Sequence, residues 1–141
     1  MDAVVIYESL TGNTAKAGQA IAAELSARGL PTVAFPITHV DYQALSLADL
    51  VIVGSWVDGL ILVGQRPGRL GRIRNMPALA GKRAIVYLTY AIDPGHALTK
   101  MSDAVSALGA DVLGGQLIRR DKLVEGTADF VDRVLDITAS A

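Results

Sequence analysis

The feature that most constrains this chain is the alternation of short Val- and Ile-rich runs with stretches of helical period. The runs are Ala3–Tyr7, Thr32–Pro36, Leu50–Gly54, Arg83–Thr89 and Val112–Ile118. A strand apolar on both sides must be covered on both faces, which is the condition of a parallel sheet between helix layers. The intervening segments supply helices. Ala15–Ala27 puts Ala17, Ala20, Ile21, Ala23 and Leu25 on a broad apolar side. Pro94–Leu108 does so with Leu98, Met101, Val105 and Leu108, and Thr127–Thr138 with Phe130, Val131, Val134 and Leu135. Five strands joined by right-handed crossovers make a three-layer αβα, doubly wound α/β sandwich. Gly29 and Gly109 read as helix stops, and Asp93-Pro94 as an N-cap with proline at the first helical position.

The 141 residues suffice for one domain over 1–141 with a core of its own. Hydrophobic residues make up 51% and charged ones 19%, so disorder is not expected. The lack of cysteine excludes disulfides, thiolate metal sites and a cysteine nucleophile. His39 and His96 alone do not make a zinc site. A net charge of −1 argues against general nucleic-acid binding. No apolar stretch is long enough to span a bilayer, and the first run lacks the basic flank and length of a secretory signal. The expectation is a soluble, cytoplasmic protein. Ser55–Lys82 is too long for an ordinary loop and holds only a short helical stretch near Pro67–Arg74, which points to function.

Ser9-Leu10-Thr11-Gly12-Asn13-Thr14 leaves the first strand and opens the first helix. In an open parallel sheet, ligands sit beyond the carboxyl ends of the strands. Amides at a helix N-terminus lack intrahelical partners and face the positive end of the dipole, so the stretch suits an anion. Gly12 permits close approach, and Ser9, Thr11, Asn13 and Thr14 add neutral donors. The order is neither G-x-x-x-x-G-K-[ST] nor G-x-G-x-x-G, and no lysine stands where a triphosphatase needs one. A phosphate that is held and not transferred fits. The plainer reading is a helix N-cap by Thr11 or Asn13.

The stretch "VVIYESLTGNTAKAGQAIA" resembles the opening of the flavodoxin family, in which the first strand runs into [ST]-x-T-G-x-T around the FMN phosphate. Ser9, Thr11, Gly12 and Thr14 match that pattern. The resemblance implies a flavodoxin-like five-stranded sheet of order 2-1-3-4-5 and an FMN site of three loops. The first is Ser9, Leu10, Thr11, Gly12, Asn13 and Thr14. The second is Ser55, Trp56, Val57, Asp58 and Gly59, with the only tryptophan placed to stack on the isoalloxazine ring or to pack on the sheet edge. A peptide here, Val57-Asp58 or Asp58-Gly59, would turn its carbonyl toward the reduced flavin, and valine resists the positive φ that glycine accepts. The third is Thr89, Tyr90 and Ala91, where the family's G-x-G-D is missing. Tyr90 would flank the ring or close the strand end. His96 falls in the first turn of a solvated helix.

Family carriers are strongly acidic, whereas this chain is near neutral. Arg66, Arg69, Arg72, Arg74, Lys82 and Arg83 crowd one segment, and spacing of three aligns the first arginines on one helix side. The bland reading is a solvated basic face. The sharper one is a docking patch for an acidic partner or for nicotinamide-nucleotide phosphates. Leu60-Ile61-Leu62-Val63 is core, a homodimer contact or a wall of a substrate pocket. Three functions follow: an FMN-binding redox protein passing electrons between protein partners, a small FMN-dependent NAD(P)H or quinone-type reductase, or a partner-binding domain that has lost FMN. No acid–base pair is evident, and a flavin needs none. Whether the chain is an enzyme stays open, with a carrier favoured.

Overall fold

The computed structural model describes residues 2–58 and 64–140. Five parallel strands, β1 (Ala3–Tyr7), β2 (Thr32–Pro36), β3 (Leu50–Asp58), β5 (Arg83–Tyr90) and β6 (Asp111–Arg119), form the sheet, with β4 (Arg66–Pro67) as a short addition. The order is β2-β1-β3-β5-β6, and β4 pairs antiparallel with the end of β3. Among the parallel strands this is the expected 2-1-3-4-5.

Helices α1 (Asn13–Ala27), α2 (Tyr42–Leu47), α3 (Leu70–Arg74), α4 (Ala97–Ala107) and α5 (Leu123–Ser140) cover both faces. Period-two alternation sorts each strand between two cores. Val4, Ile6, Val51 and Val53 pack with Leu45, Ile73 and Met101, under α2, α3 and α4. Val5, Ile52, Ile85 and Tyr87 pack with Ile21, Leu25, Phe130 and Val134, under α1 and α5. Phe130, Val131, Val134 and Leu135 of the C-terminal helical period thus go where the pattern sends them. Gly29 and Gly109 have φ of 93° and 101°, the left-handed stop that glycine takes without strain.

Three boundaries differ from expectation. β3 runs on from Gly54 to Asp58, because Val57 and Asp58 find partners in Pro67 and Arg66. α4 starts at Ala97 with His96 as its N-cap residue, so Asp93-Pro94 does not open it. Asp93 Oδ1 instead accepts from the Gly95 amide at 2.9 Å, and Gly95 takes φ 52°, which breaks the helix before it begins. The arginines do not share one helix side either: Arg66 is in β4, Arg69 precedes α3, and only Arg72 and Arg74 lie within it.

Tyr87 ties β5 to both helices of its layer. It is fully buried, its ring lies 5.6 Å from that of Phe130 on α5, and its hydroxyl donates to the Thr14 carbonyl of α1 at 2.9 Å. A Cβ on Gly54 would overlap the Tyr87 ring, and one on Gly18 would crowd the hydroxyl. Burial, with a smaller contribution from Tyr7, pushes the phenol far above its ordinary value of 10.0. The folded chain therefore keeps this proton where the unfolded chain releases it, so the stability is intact below about pH 10 and declines above it. Tyr87→Phe is expected to lose about 1 kcal/mol at neutral pH with the hydrogen bond to Thr14. It should also flatten the alkaline decline. Urea midpoints at neutral pH and above pH 10 check both, and parallel declines in the two proteins would sink the assignment.

Candidate functional site

The loop after β1 is shaped by one serine. Ser9 Oγ accepts from the Gly12 amide at 3.2 Å and from the Ala15 amide at 3.3 Å, folding the chain back over the start of α1. Neither Thr11 nor Asn13 caps the helix. Gly12 is the N-cap residue, at φ 97° and with no side-chain cap, while Asn13 Nδ2 points to Thr11 Oγ1 at 3.4 Å. The space a Cβ on Gly12 would enter is open. The Asn13 and Thr14 amides begin the helix and have no carbonyl one turn back inside it. With Ser9 Oγ occupied as an acceptor, its proton remains to be donated. Leu10 and Thr11 form the exposed crest.

Thr14 is buried, and its hydroxyl lies 2.9 Å from that of Thr89, on β5. The pair has two protons and uses one between them. Either hydroxyl can donate, and in the direction Thr89 to Thr14 the Thr14 proton is left for a ligand at the helix start. Thr89 thus reaches the first loop, not the third, with its side chain. The structure brings residues 9–14 and 89 together at the carboxyl ends of β1 and β5.

At the end of β3, Ser55 is fully buried and donates to the Gly68 carbonyl at 2.7 Å, so its hydroxyl anchors the residue after β4. Trp56 is half-buried and paired with the next residues of that hairpin: the Gly68 amide donates to its carbonyl at 2.7 Å. A Cβ on Gly68 would overlap the indole, so the ring lies flat on this glycine. Val57 is paired in the strand opposite Pro67. Gly59 and the Leu60–Val63 run lie outside the described residues.

The feature sequence reasoning missed is Glu8. Its amide closes the end of β1 on the Gly54 carbonyl at 2.9 Å, and its side chain is only 3% exposed. Arg69 Nη1 meets Oε1, and Arg72 Nη1 lies 3.2 Å from Oε1 and 3.4 Å from Oε2. A buried carboxylate needs such partners, since an unpaired one costs several kcal/mol. Two of the arginines read as a solvated face therefore hold this acid, while Arg66 bridges to Asp58 at 3.9 Å. Arg69 also sets its guanidinium 5.7 Å from the Trp56 ring centroid. The only sequence signal was an acid directly before the loop.

Beyond β5, Tyr90 is half-buried, and Ala91 and Ile92 are exposed. His96 is exposed at the head of α4. Among the described residues no cluster of acids and histidines is able to hold a metal, and no helix is long and apolar enough to cross a membrane.

The flavodoxin domain model matches residues 4–103. No curated protein matches the chain. Solved structures of similar fold include the two-electron reduced flavodoxin of Megasphaera elsdenii, at 17% identity and TM-score 0.77, covering 99% of each chain. Oxidised flavodoxin 1 of Bacillus cereus aligns at 18% identity and TM-score 0.73, over 100% of this chain and 99% of its own. The rubredoxin oxygen:oxidoreductase of Desulfovibrio gigas aligns at 16% identity and TM-score 0.64, over 98% of this chain and 37% of its own. At these identities the likeness is one of fold.

If Ser9 shapes the loop, Ser9→Ala should destabilise the ligand-free protein by about 1 kcal/mol, the usual cost of losing a side-chain acceptor at a helix start. Urea unfolding measures this, and an unchanged midpoint would remove Ser9 from that role.

Proposed function

This chain belongs to the flavodoxin family, and on that premise we propose that it binds FMN and passes electrons between redox partners as one domain over residues 1–141. The observation that carries the reading is the cradle at Gly12. A left-handed glycine with open space above it stands at the head of a fifteen-residue helix, ringed by neutral donors. This donor set fits a phosphate that is gripped and not cleaved.

The Ser9 and Thr14 hydroxyls and the Asn13 and Thr14 amides are the groups we assign to the phosphate, with Thr11 and Asn13 at the rim. Glu8 does not oppose that anion, because its carboxylate is turned into the protein and neutralised by Arg69 and Arg72. Trp56 is the residue we assign to one side of the flavin ring and Tyr90 to its other flank. Backbone groups of Asp58, Thr89 and Ala91 line the polar edge, with Gly59 completing that loop. FMN, when bound, supplies one- and two-electron chemistry, and the protein orients it and limits water.

Reading the chain as a carrier rests on the flavodoxin domain model that matches residues 4–103. A near-neutral surface, with a net charge of −1, predicts weak salt dependence of partner binding. We assign a homodimer contact to the apolar run Leu60–Val63.

Purified protein incubated with FMN is expected to retain a yellow flavin spectrum after desalting, and a colourless protein would end the reading. Stopped-flow mixing of the loaded protein with NADPH or NADH should leave the flavin oxidised. Direct reduction would replace the carrier with a reductase. Thr14→Ala should weaken FMN about tenfold, the size of one hydrogen bond to a charged group. Unchanged affinity, by flavin fluorescence titration, would show that this loop does not grip the phosphate.

A further inference from the structure

Arg69 stands where an arginine is unfavourable. At φ 50° and ψ 48° it is, among the described residues, the one non-glycine with positive φ, a conformation that crowds the Cβ of an L-residue. Its side chain makes two contacts that offset this. It pairs with Oε1 of the buried Glu8, and its guanidinium stands over the indole of Trp56, 5.7 Å from the centroid. Glu8 is in turn held by Arg72, so the acid does not depend on Arg69 alone. The indole also lies against Gly68, which carries no side chain to grip it.

We propose that Arg69 is a positioning residue for the flavin site, holding the Trp56 indole in place through its ion pair with Glu8. This inference rests on the FMN reading above, since Trp56 is the residue assigned to the ring. The chain of contacts runs from the end of β1, one residue before the phosphate loop, across to the end of β3. Charge is its working part. The ionised Glu8 fixes where the guanidinium lies, and the cation–π contact fixes the ring beneath it. A bland surface arginine would do neither. It would not accept a strained backbone beside a glycine, and removing it would leave the indole unmoved.

Because Trp56 is the single tryptophan, its emission reports this contact directly in ligand-free protein. Arg69→Gly is the informative variant, since glycine relieves the backbone strain while deleting the side chain. Acrylamide quenching of Trp56 is expected to rise about twofold in Arg69→Gly and in Glu8→Gln, with melting curves confirming that both remain folded. Arg69→Lys, which keeps the ion pair and loses the planar stack, should fall between them and the parent protein. A ring contact also predicts that FMN and riboflavin weaken by the same factor, about fivefold, because riboflavin lacks only the phosphate.

Unchanged quenching in Arg69→Gly and Glu8→Gln would overturn the proposal. So would a loss confined to FMN, which would move the effect to the phosphate loop. If Glu8→Gln fails to fold, Arg69→Gly against Arg69→Lys carries the same comparison. A parent protein that binds neither flavin would overturn the FMN reading, and the quenching series would still decide whether Arg69 holds the indole.

Discussion

The ring of Tyr87 is the wedge around which one half of this protein is assembled. A fully buried phenol must place its hydroxyl on a partner, and here that partner is the Thr14 carbonyl in the first turn of α1. The bond sets the height of α1 over the sheet and hence the position of every amide at its N-terminus. Two glycines make the arrangement sterically feasible: Gly54 lets the ring lie against β3, and Gly18 lets α1 approach the hydroxyl. Neither glycine is required by its φ. Both are required by what passes over them, a close approach that any larger residue would fill.

From that wedge the loop of residues 9–14 inherits its precision. Thr14 is held by its carbonyl from Tyr87 and by its hydroxyl from Thr89, two residues of one strand reaching one residue of the helix. Ser9 then folds the loop onto the same turn. An anion site built of neutral donors depends on geometry more than on charge, so the donors must be fixed beforehand. The buried Glu8 would disturb such a site were it unpaired. Two arginines from the other side of the sheet's end cancel it, and the loop keeps the field of the helix N-terminus.

Much of the fold was legible in order. The Val- and Ile-rich runs announced five strands because a two-sided apolar strand has few other uses, and Gly29 and Gly109 marked helix ends because each takes a left-handed turn. Where sequence reasoning failed, a competing interaction won, local in one case and long-range in another. Asp93-Pro94 looked like a helix start, yet Asp93 turned to the Gly95 amide. The arginine spacing looked like one helix face, yet α3 is five residues long and Arg69 lies before it. The Ser55 hydroxyl is bonded beside β4, a two-residue strand too short to show any period.

The sequence by itself determined the layered α/β class, the family, and the polar loop of residues 9–14 that opens the first helix. These rest on contiguous patterns: period two, period 3.6, and six residues that bend back on themselves. Only the tertiary structure decided which side chains meet at the site. Thr14 and Thr89 are 75 residues apart, and Glu8 finds arginines 61 and 64 residues away. Such pairs carry no local signature, because what selects them is the crossing of layers and the need of each buried polar group for a partner.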